Sequence, residues 1–115
     1  MREPEWRIRL YDMLVSAEKI ERYGHGLSKG AFAQNELVVD AVLRNLEVIG
    51  VASRHIPDTA RSSMPEIAWN QIWGMRNRLA HDYSGIDLEL IWETVELRIP
   101  ELIAQLRPLV GSVHR

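Results

Sequence analysis

The stretch from Asn35 to His55, NELVVDAVLRNLEVIGVASRH, decides the architecture of this chain. Asn35 is a good cap residue. Behind it Leu37, Val38, Ala41, Val42, Leu46, Val48 and Ile49 recur at helical spacing over far more than one narrow stripe. The pattern predicts a long helix to about His55, buried on several sides, against which the other helices pack. Its polar residues Glu36, Asp40, Arg44 and Glu47 step by four, four and three and form one thin seam, with Asn45 beside it. Pairing of Asp40 with Arg44 and of Arg44 with Glu47 accounts for the seam as a solvated edge. For Arg44 and Glu47 a functional cleft accounts for it equally well.

Upstream, Pro4 suits the first turn of a helix running to about Tyr23, with Trp6, Leu10, Met13, Ala17 and Ile20 on one face and Gly24 and Gly26 ending it. Residues Leu27 to Gln34 read as a loop holding at most one helical turn, with Phe32 plugging the bundle. Downstream, Ile56 to Pro65 is a proline-bracketed loop, and the next helix opens at about Pro65 with Ala68, Ile72, Met75, Leu79 and Tyr83 on its core face. Trp69 and Trp73 lie to one side as core or interface aromatics. Ser84 and Gly85 break that helix and Asp87 caps the last one, with Ile86 and Ile91 placed as a hydrophobic staple. That helix carries Leu88, Ile91, Trp92, Val95, Ile99, Leu102, Leu106 and Leu109 in one register through Pro100, where a kink without change of face is expected. The fold expected is all-α, a bundle of four long helices plus a short helical turn, in one domain over residues 1–115.

Composition narrows the function. A formal net charge of -2 in 115 residues argues against a protein that coats nucleic acid electrostatically, while leaving room for a local basic site. The absence of cysteine removes disulfides and thiolate metal sites and fits a cytoplasmic protein. No apolar run approaches the ~20 residues of a membrane span. No glutamate is followed three residues later by histidine, as a di-iron bundle would need, and no phosphate-binding loop, dinucleotide fingerprint or nucleophile elbow is present. No cofactor is called for.

What remains is the crowded run Arg76-Asn77-Arg78-Leu79-Ala80-His81-Asp82-Tyr83. A histidine titrating near neutrality beside guanidinium groups is enough for metal-free cleavage of RNA, whose 2′-hydroxyl supplies the nucleophile. His81 and Arg76 are the candidates for proton transfer and for stabilising the developing charge. The plainer reading is a helix end capped by cationic side chains. Five residues at ~100° each set Arg76 and His81 about 140° apart, whereas Asn77 and Arg78 are the helical neighbours of His81. Asn70, Gly74, Asn77 and His81 share a stripe that excludes Arg76. A twofold dimer with this helix at the interface would bring both copies into one cleft. Gly74, costing about 1 kcal/mol relative to alanine in a helix, points either to a close approach by a backbone or ligand or to a tolerated packing glycine.

The run Arg76-Asn77-x-x-x-His81-x-Tyr83 resembles the Arg-x4-His-x-Tyr signature of HEPN-domain ribonuclease toxins, in their HepT-like (DUF86) branch. Asp40 to Gly50 resembles the second-helix pattern of that family, and Trp69, Gly74-Met75 and Trp92 fall where it tends to have them, so the likeness spans about Leu10 to Leu106. The resemblance implies an all-α homodimer acting as a metal-independent endoribonuclease, with RNA as substrate and an MNT-type nucleotidyltransferase antitoxin as partner. It implies Arg76 and His81 as the catalytic pair, Asn77 as polar support, Arg44 and Glu47 as cleft-lining residues, and Tyr83 as the site of AMP addition. Val51 follows Gly50 where the family often has an acidic residue. The alternative is a non-catalytic HEPN module that binds a nucleotidyltransferase or a nucleotide.

Overall fold

The computed structural model describes residues 4–81 and 87–111, with side chains described over 4–78 and 87–111. The helices are α1 (Glu5–Gly24), α2 (Lys29–Gln34), α3 (Glu36–Arg54), α4 (Asp58–Ser62), α5 (Trp69–His81), α6 (Leu88–Glu93) and α7 (Ile99–Val110), the last two joined by a π turn over Thr94–Arg98. The expected all-α bundle forms, its four long units being α1, α3, α5 and the α6–α7 arm, with no strand among the described residues. None of the described helices is long and apolar enough to cross a membrane.

The α3 helix is the common wall, packing along α1 on one side and α5 on another and touching α2. Asn35 caps it as expected, its side chain accepting from the Val38 N–H at 3.1 Å. Burial follows Val39, Val42, Leu46 and Ile49, a spacing of three and four that shares one core with Leu10, Met13, Ala17 and Ile20 of α1 and Ile99, Leu102 and Leu106 of α7. Each such side chain removed from water contributes roughly 1.5–3 kcal/mol, so this core dominates the stability. Leu37 departs from the expected apolar set: it is 80% exposed, because the first turn of α3 projects past its neighbours. Arg7 donates to the Leu109 carbonyl at 3.1 Å and Arg107 pairs with Glu18 at 3.0 Å, tying α7 to α1.

Two segments read as loops are short helices. In α2 the Ser28 side chain accepts from the Ala31 N–H at 3.1 Å, and Phe32 is fully buried with its ring 5.3 Å from that of Trp92. Phe32 thus plugs the bundle as expected, the single helical turn anticipated there being a six-residue helix. In α4, Pro57 presets the backbone, Arg61 pairs with Asp58, and Ala60 turns inward between buried Ile56 and Met64. A helix this short has too few turns for periodicity to reveal it.

The long helix expected from Pro65 begins instead at Trp69. Met64 and Ile67 are both buried, and the bonds Ile67 N–H to Met64 C=O and Trp69 N–H to Ile67 C=O fold the intervening residues into tight turns. The Trp69 indole N–H also returns to the Met64 carbonyl at 3.1 Å. Ala68, expected in the core, is therefore exposed. Leu79 on the same expected face has no described side chain, and Tyr83, Ser84, Gly85 and Ile86 lie outside the described residues.

Asp87 caps α6 as expected, accepting from the Leu90 N–H at 3.0 Å. The irregularity anticipated at Pro100 takes the form of the π turn before it, where the Ile99 N–H reaches the Thr94 carbonyl. Proline has no N–H to donate and its ring would press on the carbonyl four residues back, and a widened turn relieves both. The Thr94 hydroxyl meanwhile bonds the Leu90 carbonyl at 2.8 Å. Ile91, Val95, Ile99, Leu102 and Leu106 stay buried through the turn, while Ile103 and Val110 join the stripe and Leu109 slips to partial burial.

Candidate functional site

The motif helix α5 packs along α3 with the two chains of residues running in opposite senses, so Arg76 of α5 meets Glu47 and Gly50 of α3. Gly50 is the residue that makes this contact. A Cβ built there would lie 2.7 Å from both Cβ and Cδ of Arg76 and 2.9 Å from Cγ, so the aliphatic stem of Arg76 occupies the space a side chain would need. At the end of that stem the guanidinium meets Glu47 at 3.1 Å, with 27% of the arginine and 38% of the glutamate side chain exposed. A half-exposed pair of this kind contributes about 1 kcal/mol or less, so its main effect is to aim the guanidinium. The Nε of Arg76 is buried and finds no acceptor among the described residues.

Trp73, one turn before Arg76, is half-buried and not in the core. The Arg76 guanidinium carbon lies 4.9 Å from its ring centroid and that of Arg54, from α3, lies 3.9 Å away. Glu47, Gly50 and Arg54 step by three and four along α3 and so share the face turned to α5.

The expected pairing of Glu47 with Arg44 gives way to pairing with Arg76. Arg44 is exposed and turns to the neighbouring face, lining a depression between α1 and α3 with Tyr11, Asp12, Lys19 and Tyr23. Of the two second-helix residues singled out, the structure therefore brings Glu47, and not Arg44, to Arg76. Asn77 is half-buried next along α5, and Arg78 is exposed and pairs with Asp87 at 3.7 Å. His81 is the last residue of α5; its side chain, and the whole of Tyr83, lie outside the described residues. Among the described residues no group of three or more His, Asp or Glu side chains could hold a metal ion.

From Trp69 to Arg78 no side chain of α5 is fully buried. The reason is an apolar groove of about 480 Å3 between α5 and the α6–α7 arm, floored by Leu46 and Ile49 and walled by Ile72, Gly74 and Met75 opposite Leu90, Ile99 and Leu102. Gly74 opens on this groove, and a Cβ there would meet nothing within 4 Å. No contact among the described residues requires that glycine.

Sequence reasoning missed three contributors. In the sequence Gly50 is only part of a pattern, Trp73 reads as core or interface, and nothing singles out Arg54. Their signal, the shared face of Glu47, Gly50 and Arg54, is present in the spacing but acquires meaning only when α5 is known to lie on it.

The two glycines make opposite predictions. Adding a methyl group at a helical glycine gains about 1 kcal/mol of helix propensity, whereas forcing one into a filled space costs about 1–3 kcal/mol. In urea denaturation Gly50→Ala is expected to lower stability on balance, and Gly74→Ala to raise it by about 0.5–1 kcal/mol. Gly50→Ala melting like the wild type would show that the Arg76 stem is free to move aside.

Comparison with known proteins gives the arrangement its context. The family model described as "Ribonuclease HepT-like" matches residues 13–109. A "Putative RNase" of Methanocaldococcus jannaschii is 38% identical over 93 residues, covering 81% of this chain and 85% of the relative. Another "Putative RNase" of the same organism is 35% identical over 105 residues, covering 91% and 90%. The "Probable ribonuclease HepT" of Thermococcus cleftensis is 37% identical over 93 residues, covering 81% and 84%. No solved structure matches the chain. With a family match running through nearly all of the bundle, the chain belongs to the HepT-like ribonuclease family.

Proposed function

We propose that this protein is a metal-independent endoribonuclease, the toxin of a type II HEPN/MNT toxin–antitoxin pair, with Arg76 and His81 as its catalytic residues. The observation that carries the reading is the Arg76 guanidinium, aimed by Glu47 across Gly50 in a chain of the HepT-like family. Its Nε is buried without an acceptor among the described residues, which a cation serving only to cap a helix end, lying at the surface, would not be.

The reaction needs no outside nucleophile. A base takes the proton of the RNA 2′-hydroxyl, whose oxygen attacks the adjacent phosphorus, and the bond to the 5′-oxygen breaks as an acid protonates it. The products are a cyclic phosphate and a 5′-hydroxyl. His81 serves proton transfer, and Arg76 stabilises the charge gathered on the phosphoryl oxygens of the transition state. Asn77 supports the site and Glu47 orients Arg76, while Arg44, turned towards α1, takes no part in it.

The site belongs to two chains in this reading. Arg76 turns towards α3 of its own chain, which leaves the opposite face of α5 and the open groove at Gly74 for a twofold partner. An MNT-type nucleotidyltransferase antitoxin silences the toxin by adding AMP to Tyr83, two residues beyond His81. The support for this last part is the family resemblance of the Arg76-to-Tyr83 run.

Cleavage of single-stranded RNA is expected to persist in chelator and to leave cyclic phosphate ends, with His81→Ala and Arg76→Ala each slowing it by about a hundredfold or more. Undiminished cleavage by His81→Ala would remove His81 from the catalytic pair, and tight binding of a nucleotidyltransferase without any cleavage would establish the non-catalytic alternative. Mixing the two inactive variants and allowing exchange should restore about a quarter of wild-type sites if each site draws Arg76 and His81 from different chains. No recovery would mean that each chain holds its own pair. Intact mass after incubation with the partner and ATP should show added AMP that Tyr83→Phe abolishes; addition that survives the substitution moves the modification elsewhere.

A further inference from the structure

Beyond the catalytic pair, the cluster around Trp73 contains one cation that the proposed chemistry does not use. Arg54 is exposed and stacks on the Trp73 indole, its guanidinium carbon 3.9 Å from the ring centroid. Among the described residues no carboxylate lies within ion-pair distance of it, whereas Arg76, 4.9 Å from the same centroid, is matched by Glu47. The two guanidinium carbons can be no further apart than the sum of their distances from the ring. Among the described residues two cations and one carboxylate therefore share this small area, an excess of one positive charge whose self-repulsion an anion would relieve. A basic residue in the last turn of α3 is favoured by the helix dipole alone, but the dipole does not account for its seat on the indole of a different helix.

We propose that Arg54, held flat by Trp73, binds a backbone phosphate of the RNA next to the one that meets Arg76. The proposal rests on the part of that reading which sets Arg76 against an RNA phosphate. Stacking fixes the plane of the Arg54 guanidinium and leaves its N–H edge open to solvent, so two donors can meet two phosphate oxygens with little ordering cost. With its face covered by guanidinium groups, Trp73 acts as the support and not as a stacking platform for a base. With their guanidinium carbons 3.9 and 4.9 Å from one ring centroid, the two cations are close enough together to meet neighbouring phosphates of one strand. Because α3 and α5 run in opposite senses, Arg54 lies beyond Trp73 from the His81 end, so the strand would extend from the motif towards the C-terminus of α3. Arg54 is a substrate-positioning residue: it holds the strand in place and takes no proton.

The test uses full-length protein and fluorescein-labelled single-stranded RNA. Binding is followed by anisotropy in a His81→Ala background, which keeps the RNA intact, and cleavage is followed with His81 present. Arg54→Ala is expected to weaken binding by roughly tenfold and to lower the slope of log Kd against log salt by about one. In cleavage it raises KM and leaves kcat at saturating RNA unchanged. Arg54→Gln, which keeps most of the stem over the indole, should behave like Arg54→Ala, and Arg54→Lys should recover part of the affinity. Unchanged affinity and salt slope in a folded Arg54→Ala or Arg54→Gln protein, or a fall in kcat with KM unaltered, would overturn the assignment. RNA binding that depends on Arg54 without any cleavage by wild type would defeat the ribonuclease reading and leave this one standing. Cleavage by wild type with Arg54-independent binding would do the reverse.

Discussion

The stem of Arg76 lies where a side chain at position 50 would be, and much of the molecule follows from that exclusion. Glycine lets α5 come close enough to α3 for an arginine to run across the helix surface and reach Glu47 at 3.1 Å. The energy of the ion pair is small at this exposure. Its consequence is geometric, because a long, flexible cation is confined by packing at its base and by charge at its tip. In the proposed ribonuclease that confinement would mean that the ordering of Arg76 is complete before substrate arrives.

The same arrangement leaves α5 covered on one side. Its contacts are with α3, and between it and the α6–α7 arm runs the apolar groove onto which Gly74 opens. A helix with no fully buried side chain from Trp69 to Arg78 contributes little core of its own, so its position depends on α3 and on whatever covers the groove. The π turn at Thr94–Arg98 belongs to the same balance. By absorbing Pro100 it lets Ile91, Val95, Ile99 and Leu102 remain on one face while the arm passes the groove.

Two glycines in neighbouring helices have different reasons to be there. Position 50 is closed by contact within the chain and position 74 is open to it. Both break the same propensity rule, and the spacing around each is equally helical. Trp73 carries a similar lesson, since an aromatic expected in core or interface is half-buried and supports two guanidinium groups at 3.9 and 4.9 Å.

The all-α class, the extent of α1 and α3, the caps at Asn35 and Asp87 and the Arg76-to-Tyr83 motif were legible from the sequence, because they depend on residues within a turn or two of one another. The short helix α4 was not, and α2 only as a single turn, since they persist by burying Ala60 and Phe32 in the core. Nor was the late start of α5, which depends on Met64 and Ile67 turning into a core built by other helices. At the site, periodicity put Glu47 and Arg44 in one seam and left their partners open. Only the antiparallel seating of α5 on α3 gave Glu47 to Arg76, turned Arg44 towards α1, and set Arg54 on Trp73. Local sequence specifies which face a residue occupies on its own helix, but which helix meets that face, and at what height, is decided by the packing of the whole core.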